Sequence, residues 1–302
     1  MDFQPTEEQR DLRAGVRDLL AGRYGREALR ASVDGGGTLD RALWRELGAA
    51  GFFALRLPEA EGGVGLGLPE AVLVFEEAGR ALLPGPLVAT HLAAGVVPGA
   101  AEGTAVVTAF DLEGPLVTHL GEADAVLGGG GGAVPAGEPV RSVDPLTPLW
   151  RAGGHAGDLG TYREEGALLT AALQAGSALR TVELAVRYAG EREQFGQPIG
   201  AFQAVKHLCA RMLVRAELAR TAVYAAAVTG DGAEIAAAKL LADEAAVRGA
   251  RDCLQVYGGM GFTWEADVHL HLKRAWVRAE QWRTAAGARE LLAERLLEEA
   301  AP

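Results

Sequence analysis

The sequence predicts a mainly α fold in three parts: an N-terminal helical domain over residues 1–83, a small middle β domain over 84–165 and a C-terminal four-helix bundle over 166–302. Three observations predict it. Apolar residues recur at helical spacing near the start (Leu12, Val16, Leu19, Leu20). The spacing turns strand-like after Pro84-Gly85-Pro86, and helical spacing returns from Gly166 onward.

In order, Thr6 with Glu8 and Gln9 behind it predicts an N-cap for the first helix. Asp34-Gly35-Gly36-Gly37-Thr38 reads as a loop, after which Trp44, Leu47 and Phe52 resume an apolar face. The glycine-rich run from Leu57 to Gly67 has neither a following Lys-Ser/Thr pair nor a G-x-G-x-x-G pattern after a strand, so it is a helix connection and not a phosphate cradle. A helix is expected from about Pro69. Thr104–Phe110 and Ala125–Leu127 predict short strands, and the run Gly128–Gly132 between turn signals reads as a hairpin tip or disordered loop. Leu169, Leu173, Leu179, Val182 and Val186, then Val205, Leu208, Met212 and Leu213, form core-facing stripes. The Ala-rich run 219–250 allows close helix packing, in a bundle whose neighbours run antiparallel through short connections.

A chain of 302 residues with 49% hydrophobic and 23% charged residues is long enough to bury a sizeable core. Its net charge of -11, with no Lys/Arg-rich run, argues against nucleic acid or an anionic membrane as the main partner. No apolar run approaches membrane-spanning length and the first residues carry no signal core. Cys209 and Cys253 are too few and too far apart for a zinc or disulfide framework, and a reducing cytoplasm is the expected location. His269 and His271 alternate too closely to share a helix face, so both are expected to be packing or surface histidines.

The most informative stretch runs from Arg192 to Gln203. An arginine, an aromatic ring, two glycines and several amides suit a loop that approaches a planar, phosphate-bearing ligand. By spacing alone it equally describes a helix end at Gly196, a Pro-stiffened turn and a new helix. The run REQFGQPIGAFQAVKHLCARM resembles the acyl-CoA dehydrogenase signature, R-x-x-F-G-x-x-I followed by an F-Q pair. Gln255 to Phe262 resembles that family's second signature, Q-x-x-G-G-x-G-[FY]. Thr6-Glu7-Glu8-Gln9, Leu57-Pro58-Glu59 and Glu76-Glu77-Ala78-Gly79-Arg80 also resemble its N-terminal helical domain.

The resemblance implies FAD as cofactor and an acyl-CoA thioester as substrate, oxidised at its α,β carbons. A carboxylate removes the α proton while the flavin takes the β hydride, and the protein positions both. It implies that Arg192 reaches the flavin pyrophosphate and that Phe195 packs on the cofactor. Gln194, Gln203, Gln255, Gly258 and Gly259 are the further cofactor-binding positions it implies, and the family makes these contacts to a neighbouring subunit's flavin.

Two departures stand beside it. The T-E-P-x-A-G-S-D-like segment with which the family's longer β domain lines the flavin ring is missing here. The position of the Y-E-G-T glutamate is held by Trp282, while the family's other base position falls on Gly166, with Glu165 one residue away. Glu165 is the candidate catalytic base if the helix start is shifted, although a glutamate in a first helical turn also complements the helix dipole. Glu265 is expected to pair with Lys273 or Arg274.

These features resemble the short, incomplete subunit of heterotetrameric, steroid-type actinobacterial acyl-CoA dehydrogenases, which shares FAD across the interface with a full-length partner. A self-sufficient homomeric enzyme using Glu165 is the first alternative, and a non-catalytic scaffold or acyl-carrier binding protein of the same fold is the second.

Overall fold

The computed structural model describes residues 4–128, 134–153, 159–160 and 162–300, so most of the expected Gly128–Gly132 tip lies outside the described residues. The N-terminal helices are α1 (Glu7–Arg23), α2 (Arg26–Asp34), α3 (Arg41–Ala49), α4 (Leu68–Arg80) and α5 (Leu87–Leu92). Thr6 caps α1 as expected: its hydroxyl accepts the Gln9 N–H at 3.2 Å, and the Gln9 side chain accepts the Thr6 N–H at 2.9 Å. At α4, Glu70 does the same for the Gly67 N–H at 2.9 Å, with Pro69 in the first turn.

The β unit is small. Strand β1 (Val107–Ala109) pairs in parallel with β3 (Ala125–Leu127). Strand β5 (Leu149–Ala152) lies antiparallel between β2 (Leu116–Thr118) and β4 (Gly137–Val140). Phe110, Val117, Leu120, Val126 and Ala152 give the unit a core of its own.

Helix α6 (Tyr162–Glu191) begins one turn before Gly166 and forms the axis of the molecule. It is followed by α7 (Gln203–Thr229), α8 (Gly232–Tyr257), α9 (Val268–Glu280) and α10 (Ala285–Glu299). Gly230, at φ 67°, ends α7, and Asp231 immediately caps α8 by accepting the Ala233 and Glu234 N–H groups at 2.9 Å. That short connection makes the two helices antiparallel neighbours. Helix α6 packs on α4, α7, α8 and α9, and α10 packs on α8.

The contact of α4 with α6 is made backbone to backbone. A Cβ on Gly176 would lie 1.9 Å from the Glu76 carbonyl oxygen, and one on Gly79 would lie 2.0 Å from that of Leu173. This approach buries Glu76 and Glu77. Arg17 grips both Glu77 oxygens, at 2.8 and 2.6 Å, and Arg80 reaches Glu77 at 3.2 Å. Glu76 is held more loosely, by Arg13 at 3.8 Å and Arg220 at 3.2 Å. Burial, and then its neighbour Glu77, push its carboxyl up to about 7. On the other side of α6, the fully buried Lys239 of α8 donates to Asp243 at 2.5 Å and to the Arg278 carbonyl at 3.1 Å. Gln174 of α6 donates to the second Asp243 oxygen at 3.0 Å.

Because neither carbonyl has room to retreat, Gly176→Ala and Gly79→Ala are each expected to lower stability by about 1–3 kcal/mol or more, the range for overpacked cores. Chemical unfolding of each variant checks this. A change within error at both positions would show that the crossing is not tight.

Candidate functional site

Helix α6 ends in a two-residue hairpin, β6 (Glu193–Gln194) against β7 (Gln197–Pro198). Its central residues, Phe195 (φ 55°) and Gly196 (φ 78°), are both left-handed, the pattern of a type I′ turn. Gly196 is therefore a hairpin residue and not the helix end that spacing alone allows. The Arg192 N–H still donates to the Tyr188 carbonyl, and the Arg192 carbonyl accepts the Ile199 N–H, both at 2.8 Å, so Arg192 is fixed at the base of the hairpin. Facing it is the end of α8, where Gly258 (φ 59°, ψ −139°) holds a conformation open to glycine. Tyr188 and Tyr257 stack 4.0 Å apart and join the two walls.

Between them runs a surface groove of about 510 Å³ lined by Arg192, Gln194, Gly258 and Gly259, together with Ile199, Met260 and Thr263. A Cβ on either glycine would meet open space, so here the missing side chains leave the backbone accessible. An exposed guanidinium beside such backbone suits the phosphates of an elongated ligand. The structure thus brings four of the sequence-derived cofactor residues together. Phe195 is at the hairpin tip, 93% exposed, with its ring edge-on to Phe202 at 6.1 Å. Gln203 opens α7 and Gln255 lies in the last turn of α8, both exposed and outside the groove wall.

Glu165 is elsewhere. It lies in the first turn of α6, some 27 residues before Arg192, hence roughly 40 Å away along the helix. Its carboxylate pairs with Arg56 and lies 3.9 Å from His91 Nε2. His91 is enclosed, and burial drives it down to about 4, so it faces Glu165 as a neutral ring near pH 7. Next to Glu165 is a contact that chain order hides. The Trp282 indole lies against Gly166, where a Cβ would come within 2.2 Å of the ring. Trp282 is 1% exposed and left-handed (φ 62°), and its backbone N–H donates to the Asp111 carbonyl at 2.6 Å. The two positions read as alternative sites for a base therefore meet in space, and a glycine and an indole hold them. Beneath them the interior space is about 30 Å³.

The two histidines and Glu265 line neither region. His271 is buried with Nδ1 2.7 Å from the Ser177 hydroxyl, and His269 stacks on Trp264 at 4.8 Å. Among the described residues no group of three or more His, Cys, Asp or Glu is placed to hold a metal ion, and no helix is long and apolar enough to cross a membrane. Glu265 pairs with neither expected cation. Lys273 lies 4.5 Å over the Trp264 ring, and Arg274 turns inward to Asp144 at 2.5 Å.

Comparison with known proteins identifies the family. The profile of the acyl-CoA dehydrogenase N-terminal domain matches residues 6–107, and that of the acyl-CoA dehydrogenase C-terminal domain matches residues 163–301. The chain is 37% identical to acyl-CoA dehydrogenase IpdE2 of Mycobacterium tuberculosis over 296 residues, 90% of this chain and 92% of that protein. It is 35% identical to acyl-CoA dehydrogenase FadE34 of the same organism, over 94% of this chain but 47% of that longer protein. Its structure superposes on a chain of the ChsE4-ChsE5 complex from M. tuberculosis with a TM-score of 0.86 and 26% identity, covering 100% of both chains. With both domain profiles matched and a relative of nearly equal length, the chain belongs to the acyl-CoA dehydrogenase family.

Proposed function

We propose that this chain is the incomplete subunit of a flavin-dependent acyl-CoA dehydrogenase, lending the phosphate and adenosine half of an FAD site to a complete partner subunit. The observation that carries the reading is the placement of two unlike regions at opposite ends of α6. One end presents an open groove with Arg192, Gln194, Gly258 and Gly259. The other end, where a base and a flavin ring would face each other, is closed by Trp282 on Gly166.

The fit of FAD divides in the same way. The groove has the volume, exposure and phosphate-seeking chemistry for the elongated part of the dinucleotide, whereas a space of about 30 Å³ beside Trp282 admits no ring system. With the two ends of α6 so far apart, Arg192 and Glu165 of one chain cannot serve one flavin. When bound, FAD supplies the hydride acceptor. This chain's part is to fix the dinucleotide's charge at Arg192 and its backbone approach at the two glycines. Glu165, already engaged by Arg56, is a structural carboxylate in this reading and not the base. The similarity to one chain of a two-protein complex supports a partner, as does a hairpin ring, Phe195, that the chain itself leaves in solvent.

The deciding experiment is purification of the chain alone and with a full-length family member produced alongside it. Alone it is expected to be colourless and inactive on a panel of acyl-CoA thioesters with an artificial electron acceptor. Together the two are expected to give bound flavin and turnover. A stoichiometric flavin spectrum with normal turnover from the chain alone would establish the homomeric enzyme instead, and a colourless, inactive mixture would favour the scaffold.

In the active complex, Arg192→Ala is expected to lower flavin occupancy at least tenfold at limiting FAD while shifting the unfolding midpoint little, since an exposed arginine contributes about 0–1 kcal/mol to stability. Unchanged occupancy would remove Arg192 from the site.

Glu165→Gln is expected to leave kcat of the complex within a few-fold. Loss of a true general base costs about two to four orders of magnitude, so a drop of that size would make Glu165 catalytic.

A further inference from the structure

The interior cavity beneath Trp282 has a wall chemistry that the proposed cofactor function does not use. Its volume of about 30 Å³ suits an occupant the size of about one or two water molecules. Two guanidinium groups line it, those of Arg274 and Arg278 in α9, which are 3% and 4% exposed. Arg274 is charge-matched. Its Nε donates to Asp144 at 2.5 Å and its Nη1 to the Leu83 carbonyl at 3.1 Å, while Nη2 is buried with no acceptor.

Arg278 has no carboxylate partner among the described residues. Its one side-chain hydrogen bond there runs from Nη1 to the Leu173 carbonyl at 3.5 Å, the outer limit for such a bond. Arg278 and Arg274 also repel each other, and burial with that repulsion depresses Arg278 well below the usual arginine range. The carboxyl that shares the wall, Asp111, does not answer the charge. One of its oxygens accepts the Gln281 amide at 2.7 Å and the other has no partner, and burial pushes the acid up to about 7.

A guanidinium only 4% exposed is a costly arrangement, by several kcal/mol, unless a counter-charge accompanies it, and the buried Nη2 of Arg274 beside it has no acceptor. We propose that this cavity is a binding site for a single monoatomic anion of the chloride class, held between Arg278 and Arg274. Size favours the class, because phosphate and sulfate are larger than a space of about 30 Å³. Charge selects it over water, which would satisfy donors but leave the cation unbalanced. The hydroxyl-bearing residues Thr108, Thr147 and Thr170, which also line the cavity, add polar wall without adding charge.

The test uses the full chain, in its complex if it is produced as one. Crystals grown or soaked in sodium bromide are expected to show an anomalous bromine peak inside the cavity, within hydrogen-bonding distance of Arg278. Thermal unfolding in sodium chloride is expected to show a saturable rise in midpoint over sodium gluconate at equal ionic strength, since an ion that binds only the folded state stabilises it by mass action. Arg278→Met is expected to abolish both signals. If that variant does not fold, the bromide map and the salt comparison on the unaltered chain decide the question. Bromine confined to exposed sites, or equal midpoints in the two salts, would overturn the proposal.

Discussion

The close crossing of α4 and α6 is the constraint on which the rest of the structure depends. Gly79 and Gly176 place two helix backbones where no Cβ fits, and dispersion over a contact that tight is sensitive to a single methyl group. The crossing carries Glu76 and Glu77 inward, which obliges α1 and α7 to bring arginines to meet them. It also fixes the axis of α6. A thirty-residue helix held rigidly along its length sets the groove at Arg192 and the closed end at Gly166 at a constant separation.

Much of the fold was legible in the chain because it rests on local signals. The Thr6 capping box, the helix beginning beside Pro69 and the strand Ala125–Leu127 follow from residues within one turn or one pleat of each other. The hairpin at Phe195–Gly196 was not legible as a hairpin, since its strands are two residues long and offer no alternation to read. Arg274 was the least readable of all. Its partner, Asp144, lies 130 positions earlier on a loop of the β unit, and no pattern along α9 points to it. Glu265 matches a common family position after the second signature, yet the cations expected to pair with it are committed to Trp264 and to the interior.

The candidate site was legible in part for a related reason. Arg192, Gln194, Gly258 and Gly259 lie at the ends of helices that the bundle holds side by side, so two sequence motifs become one groove. The encounter of Trp282 with Gly166 required the return of the chain after α9, and sequence named the two positions without joining them. A glycine that accepts an indole and an indole that fills a glycine's space form one unit, and the left-handed backbone at Trp282 shows that this packing is favourable enough to hold a strained residue.

The left-handed Phe195 carries a different implication. Turns of this kind favour Asn or Asp before Gly, and a bulky aromatic at that position opposes the conformation of its own hairpin. The ring gains little from the chain in return, being 93% exposed with one edge contact to Phe202. Asn or Asp would suit the turn of the isolated chain better. The hairpin tip is therefore a place where a substitution that stabilises the isolated chain and one that preserves an exposed ring for assembly are different substitutions.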